Sequence, residues 1–490
     1  MRIFAALLLL TFSLALCVPS EGASTNLLPN PSFEAGRGAR PDYWDGFGFG
    51  KRTWEFRGED GERCVSIAGD GRDDGWWFTR RGAKVQRNRL YEVSYWVRED
   101  ARGALGMVMG GINLTRHYAV ADTQWQRHEY FLRSPDDLRN VEFRLAQKGA
   151  DGVVHFDNVA MRPAVAVYRS SGTGEFAVGV GESIVERRYA ATHDLLGKGT
   201  SDCRFLDRYS AELDHDRWVL NGTRLDEVVY HHDVARIGPV DAPASLKPDV
   251  ETSAARSIQQ NAATVDVDVA RCQGKLSVQV AGNPNGPWVQ IGATVKPGRI
   301  RADVPGSMVP KRDIWVRLKS LGGRRTEVTG YRYSSLLRSE ESLPPIAGET
   351  AYLTILEQAP DLDFRVVDVG EMTPGGRAKV RILIGSGGPR RRLVAAALVR
   401  RGSEAISRQE ETFWLAKDSA HLVVLPYSAA GDAETLEIYC RDKKTGEVLL
   451  LLECRFAPRV GTEPRGVDQR ARQSRRLCGP TRAPSSPGCG

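Results

Sequence analysis

Leu90-Tyr-Glu-Val-Ser-Tyr-Trp-Val97 alternates side chains in the period of a half-buried β-strand. The same alternation recurs in Trp125-Gln-Arg-His-Glu-Tyr-Phe-Leu132, Val141-Glu-Phe-Arg-Leu145 and Val153-Val-His-Phe-Asp-Asn-Val159. Gly, Asp and Pro break the chain between these runs, and helical periodicity is scarce. Many short strands separated by turn residues specify a sandwich or barrel. The reading for residues 25–165 is therefore a β-sandwich or barrel.

The pattern continues downstream. Ser170-Ser-Gly-Thr-Gly174 reads as a connector. A second β-sandwich is expected over 175–340, with strands at Ala263–Val269, Lys275–Val280, Asp313–Leu318 and Val328–Tyr333 and a turn at Asn283-Pro-Asn-Gly286. Residues 190–260, rich in His and Asp, read as a long decorated loop. Ser342-Leu-Pro-Pro345 marks a boundary before a third unit, 346–458, whose strands suggest an immunoglobulin-like sandwich. The fold class expected is all-β: three consecutive sandwiches. Residues 461–490 have six Arg, many Pro, Ser and Gly and little apolar content, so a disordered basic tail is expected.

At 490 residues the chain exceeds one sandwich and fits about three domains. Of the net charge of +7, from 68 basic and 61 acidic residues, the tail supplies +4, six Arg less Glu463 and Asp468. The remainder is near balance, and no nucleic-acid partner is expected. Arg2 followed by the apolar run Ile3–Val18 reads as an export signal within 1–24. Leu14-Ala-Leu-Cys17 resembles a lipoprotein box, with Leu16 where a small residue is usual. No later run is long enough to span a bilayer, so a secreted, cell-surface or periplasmic location is expected.

There are eight Cys and no CxxC pair, which argues against a zinc knuckle or a thioredoxin-like motif. Cys64 reads as a buried thiol. Cys203 and Cys272 either pair or remain free. The turn Asp442-Lys-Lys-Thr-Gly446 sets a hairpin that places Cys440 opposite about residue 449, so a bridge to Cys454 is not expected.

Residues 25–165 resemble a family 4/9 (CenC-type) carbohydrate-binding module with a galactose-binding-like jelly roll. The matching pieces are Asn26-Leu-Leu-Pro-Asn-Pro-Ser-Phe-Glu34, Asp42-Tyr-Trp44, Gly61-Glu-Arg-Cys-Val-Ser66, Tyr91-Glu-Val-Ser-Tyr-Trp96, Thr123-Gln-Trp125 and Phe156-Asp-Asn-Val159. The resemblance implies a polysaccharide or glycan partner. It also implies a structural calcium held by Glu34 and Asp157, on the first and last strands, since calcium takes oxygen ligands.

The residues give a separate reason for sugar binding. Pyranose rings present apolar C–H faces that stack on exposed aromatic rings. Six of the ten Trp fall in this unit: Trp44, Trp54, Trp76, Trp77, Trp96 and Trp125. The resemblance implies that Trp44, Trp96 and Trp125 anchor the core. Trp54, Trp76, Trp77 and Tyr118 are the stacking candidates, with His117 near Asn113, and Arg80, Arg116 and Gln124 are candidates for hydroxyl contacts. Adjacent Trp76 and Trp77 must point to opposite faces of a strand.

A competing reading is a glycan-active hydrolase with its site in 180–340. His193-Asp194, Asp214-His-Asp216, Asp226-Glu227 and His231-His-Asp233 hold the residue types for acid–base work, and Asp214 with Asp226 or Glu227 supplies two carboxylates. The spacing matches no HExxH-type motif. GxSxG, P-loop and (β/α)8 patterns are absent, so no catalytic residue is assigned.

Overall fold

The computed structural model describes residues 26–455 apart from 61, 72–74, 81, 101–104, 111–114, 121–122, 136–141, 148–150, 171–177, 196–202, 215, 224–225, 235–257, 340–341, 344, 360, 371–376 and 430–433. The signal segment, Cys17, most of the connector, Asn113 and the basic tail lie outside the described residues, as do the side chains of 105–110 and 115–120. The fold is all-β; the described residues contain no α-helix and one short 3-10 turn, Gly306–Met308. No helix among them is long and apolar enough to cross a membrane.

The first unit is two antiparallel sheets of five strands each. One sheet runs Lys51–Phe56, Arg63–Asp70, Asp151–Ser170, Leu90–Glu99, Gln126–Arg133. The other runs Trp44–Gly48, Gly75–Thr79, Phe143–Gln147, Leu105–Gly110, Thr115–Val120. Inward residues of both sheets, among them Trp44, Val65, Trp77, Tyr95, Phe143 and Phe156, make one core. The opening segment is laced to the closing motif: the Asn26 side chain donates to the Val159 carbonyl (3.0 Å) and accepts from the Met161 N–H (3.0 Å). Val159 N–H in turn donates to the Pro31 carbonyl at 2.9 Å. Phe33 takes φ +58°, a conformation strained by roughly 1–2 kcal/mol for a residue with a Cβ, and its ring is fully buried.

Of the three Trp expected as core anchors, only Trp44 is wholly buried. Trp96 and Trp125 are half-buried. Trp96 has the outward parity of its strand, since Val93, Tyr95 and Val97 point inward. Trp125 precedes the first paired residue, Gln126, and lies against Arg98 and His155.

The second unit has its own core. One sheet runs Leu206–Tyr209, Glu227–Asp233, Asp313–Leu321, Lys275–Ala281, Val289–Thr294. The facing sheet is centred on Thr326–Arg338, which pairs with Arg188–Asp194, Arg217–Leu220 and Gln259–Cys272. Part of the expected long loop is therefore strand: Arg188–Asp194, Leu206–Tyr209, Glu212–Asp214, Arg217–Leu220 and Glu227–Asp233. Its charged composition hid the alternation because two of its His are core residues. His193 and His232 are 2% and 0% exposed. His232 stacks on Tyr333 with ring centroids 3.7 Å apart.

The third unit packs Leu362–Asp368, Arg377–Ser386 and Ser419–Ser428 against Ile346–Gln358, Val448–Arg455, Glu434–Asp442, Arg391–Arg401 and Glu404–Leu415. Cys440 lies opposite Leu450, and Cys454 opposite Leu436, so the two thiols are separated along the ladder. Cys203 and Cys272 are thiols, not joined in a disulfide.

The units are fused. Strand Asp151–Ser170 pairs with first-unit strands up to Pro163, then with Ile346–Gln358 from Ala164 to Ser170. Pro163 has no N–H and sits where the strand changes partner. Phe131 stacks on Tyr352 at 4.4 Å, and the Thr354 hydroxyl donates to Glu92 at 2.6 Å. Leu213 pairs in parallel with Thr115.

Candidate functional site

Strand parity decides what the second sheet of the first unit shows to solvent. Trp44, Trp77, Phe143 and Leu145 face the core. Phe47 and Trp76 are register partners, as are Asp45 and Phe78. Trp76 pairs onward with Ala146, and Phe78 with Arg144. These alternate positions form the outer face. Met107 and Tyr118 occupy the next register positions of the Trp76 row, Met109 and Arg116 those of the Phe78 row.

The outer face carries an aromatic pair. Phe47 is 62% exposed and its ring lies 5.1 Å from that of half-buried Trp76. The Arg144 guanidinium sits 5.1 Å from the Trp76 ring, a cation–π distance. Asp45 pairs with Arg40 and Arg80, each at 3.3 Å. The Phe47 segment is braced from behind: Arg52 Nη1 donates to the carbonyls of Phe47 (3.1 Å), Gly48 (3.0 Å) and Phe49 (3.1 Å). Gly75 permits this approach, since a Cβ there would meet the Phe49 carbonyl. Aromatic rings edged by guanidinium and carboxylate groups can stack on an apolar face and hydrogen-bond polar groups at its rim.

Of the adjacent tryptophans, Trp76 is the outward one. Trp77 is 3% exposed and its indole N–H donates to the Ser66 carbonyl at 3.1 Å. As a stacking candidate Trp77 is corrected to a core residue. Trp54 lies on the opposite sheet, where its N–H donates to the Phe33 carbonyl (2.7 Å) and the Arg63 guanidinium covers its ring at 3.9 Å. The structure thus brings together Trp76, the register position of Tyr118 and Arg80, and leaves Trp54 and Gln124 apart from them. Phe47, Asp45 and Arg144 were missed in sequence reading. The signal available was the alternation within Trp44-Asp-Gly-Phe-Gly48.

Glu34 and Asp157 come to one end of the first sheet. Glu34 Oε1 accepts from the Arg63 N–H at 2.8 Å. Asp157, wholly buried, accepts from the N–H groups of Glu59 and Asn158, both at 2.7 Å. Burial pushes the Asp157 carboxyl up to about 7 despite those hydrogen bonds, with Asp60 and Glu34 adding repulsion. Glu34 is raised by burial and by Glu62 and Asp60. Carboxylates that repel one another are an environment a hard cation relieves.

The His- and Asp-rich segment of the second unit is engaged within its sandwich. His193 bonds the Tyr230 hydroxyl at 3.2 Å, and His232 bonds that of Tyr331 at 2.7 Å. Asp226 accepts from the Asn221 N–H and the Thr223 hydroxyl, both at 2.6 Å, closing its own turn. Glu227 pairs with Arg317 at 3.4 Å. His231 contacts Asp313 at 3.0 Å and stacks on Trp315 at 4.0 Å.

No family model matches the chain, and no curated protein matches it. Solved structures do. The tandem CBM22-1–CBM22-2 domain of Paenibacillus barcinonensis Xyn10C is 12% identical, with a TM-score of 0.24; the match covers 64% of this chain and 98% of that one. The single CBM22-1 xylan-binding domain of the same protein is 19% identical, with a TM-score of 0.24, covering 29% of this chain and 96% of that one. TmCBM61 in complex with β-1,4-galactotriose is 18% identical, with a TM-score of 0.23, covering 29% of this chain and 99% of that one. Likenesses of this degree say nothing about the ligand of this chain.

Proposed function

We propose that the chain is an exported, non-catalytic glycan-binding protein whose first unit takes polysaccharide on the outer face of the sheet containing Trp44–Gly48 and Gly75–Thr79. The observation that carries this reading is the Phe47–Trp76 pair, a braced and solvent-facing aromatic platform. A sugar ring laid on it buries apolar C–H surface, while Asp45, Arg80 and Arg144 offer hydrogen bonds to hydroxyls. Calcium at Glu34 and Asp157 is structural in this reading: it ties the opening segment to the closing strand and touches no sugar. In this reading the expected export signal in 1–24 sends the protein to the cell surface, the periplasm or outside the cell. The second and third units, the latter read as immunoglobulin-like, act as a rigid base, because the first unit shares strand Asp151–Ser170 with the third. A binding panel of soluble β-glucan, xylan, galactan and mannan against the full chain tests the reading. Saturable binding without release of reducing ends supports it, and turnover contradicts it.

A further inference from the structure

The first sheet carries a second constellation, on the face turned away from its core. Val65 and Ile67 point inward, so Cys64 points outward; Val154 and Phe156 point inward, so His155 points outward. Glu55 is the register partner of Cys64, and His155 that of Ser66. Three adjacent strands thus deliver a carboxylate, a thiol and an imidazole to one place. Cys64 is fully buried and the His155 side chain is 1% exposed, while Glu55 keeps 29% exposure. Arg98 and Trp125 help to cover them.

The polar accounting at His155 is unusual. Nε2 lies 2.9 Å from Asp100 Oδ1, and Nδ1 lies 3.0 Å from Glu55 Oε1 and 4.0 Å from Cys64 Sγ. Both ring nitrogens thus face carboxylate oxygens, and Nδ1 also faces the Cys64 sulfur.

We propose that Glu55, Cys64 and His155 form a binding site for a zinc-class divalent cation, with Asp100 as the outer carboxylate that fixes the imidazole. The three donor atoms lie within 4.8 Å of one another. A tetrahedral zinc with bonds of roughly 2.3 Å to sulfur and 2.0 Å to nitrogen or oxygen sets donor separations of roughly 3.3–3.5 Å. The Nδ1–Oε1 distance of 3.0 Å and the Sγ–Nδ1 distance of 4.0 Å reach that geometry with shifts of about half an ångström. Binding releases the Cys64 proton to solvent, and water completes the coordination on the exposed Glu55 side. A carboxylate–imidazole–metal relay of this kind orients the ring and raises its basicity. The sulfur ligand separates this site from the oxygen-only cluster of Glu34 and Asp157, and the site is independent of sugar binding.

The test is titration of the metal-free full chain with cobalt(II), then displacement by zinc. The expected result is a thiolate-to-cobalt charge-transfer band that saturates, is bleached by zinc and is not produced by calcium. Cys64→Ser, checked for folding by circular dichroism, should lose the band. Glu55→Gln, at a part-exposed position, should keep the fold and weaken cobalt binding about 10–100-fold. A folded parent that gives no band overturns the proposal. A band unchanged in Glu55→Gln, or retained in folded Cys64→Ser, overturns it by placing the metal elsewhere, since other free thiols exist.

Discussion

Replacing Asp157 with Asn should stabilise the first unit at pH 8 and remove most of its loss of stability between pH 5 and pH 8. The Asp157 carboxyl is raised from 3.8 to about 7, chiefly by burial, with repulsion from Asp60 and Glu34 added. A shift of about 3 units at about 1.4 kcal/mol each is about 4 kcal/mol of differential stability. The sign is opposite to that of a salt-bridged carboxylate. The folded state takes up a proton, so the contribution is fully present below pH 3.8 and is lost as pH rises through about 7. An Asn at this position carries no charge but can accept only one of the two N–H bonds from Glu59 and Asn158. That loss costs about 1.5–3 kcal/mol, leaving a net gain of about 1–2 kcal/mol at pH 8 without calcium. Urea unfolding in chelator at pH 5 and pH 8 measures it, followed by Trp emission, because six of the ten Trp lie in this unit. In the parent the first transition should fall toward pH 8, while in Asp157→Asn the fall should be much smaller. Calcium at a hundredfold excess over its Kd should restore about 2.7 kcal/mol to the parent at pH 8 and nothing to the variant. A parent whose stability is the same at both pH values, or a variant with the parent's slope, refutes the assignment of this charge.

Trp77→Ala should destabilise the first unit by about 3–5 kcal/mol in the same assay, since the ring is core, whereas Trp76→Ala should change stability by less than about 1 kcal/mol. A non-reduced digest should contain neither a Cys440–Cys454 nor a Cys203–Cys272 peptide, because all four residues are thiols outside any disulfide. Tyr352→Ala removes the Phe131 stack at the junction of first and third units. It should cost at least about 0.5–1.5 kcal/mol and expose the junction to limited proteolysis.

What the sequence revealed was whatever depends on period alone. The alternation in 90–97 and 125–132 marked strands, and adjacency required Trp76 and Trp77 to diverge. Which of the two faces out depends on the register with Phe47 and Ala146, a long-range fact. Trp96 and Trp125 were expected in the core from their places in the family pattern; the inward parity of Tyr95 and Val97, and of Tyr130 and Leu132, puts both positions on the outward parity, and the paired strand begins only at Gln126. The His- and Asp-rich segment was misread as a loop because polarity was taken as exposure. Burial there is met by hydrogen bonds to Tyr hydroxyls, partners more than 30 residues away. The 440–454 hairpin was placed within one residue of its register. The difference arises from an irregularity between Cys440 and Arg441. The fusion of first and third units had no local signal beyond Pro163.

The central claim is that sugar binds on Phe47 and Trp76, and isothermal titration of the full chain with a polysaccharide it retains tests it most directly. Loss of a stacked ring should cost about 1–3 kcal/mol, weakening affinity about tenfold to over a hundredfold. The account predicts that loss in Trp76→Ala and in Phe47→Ala, both folded, and parental affinity in Trp54→Ala, whose ring lies on the other sheet under Arg63. Parental affinity in both Trp76→Ala and Phe47→Ala contradicts the account.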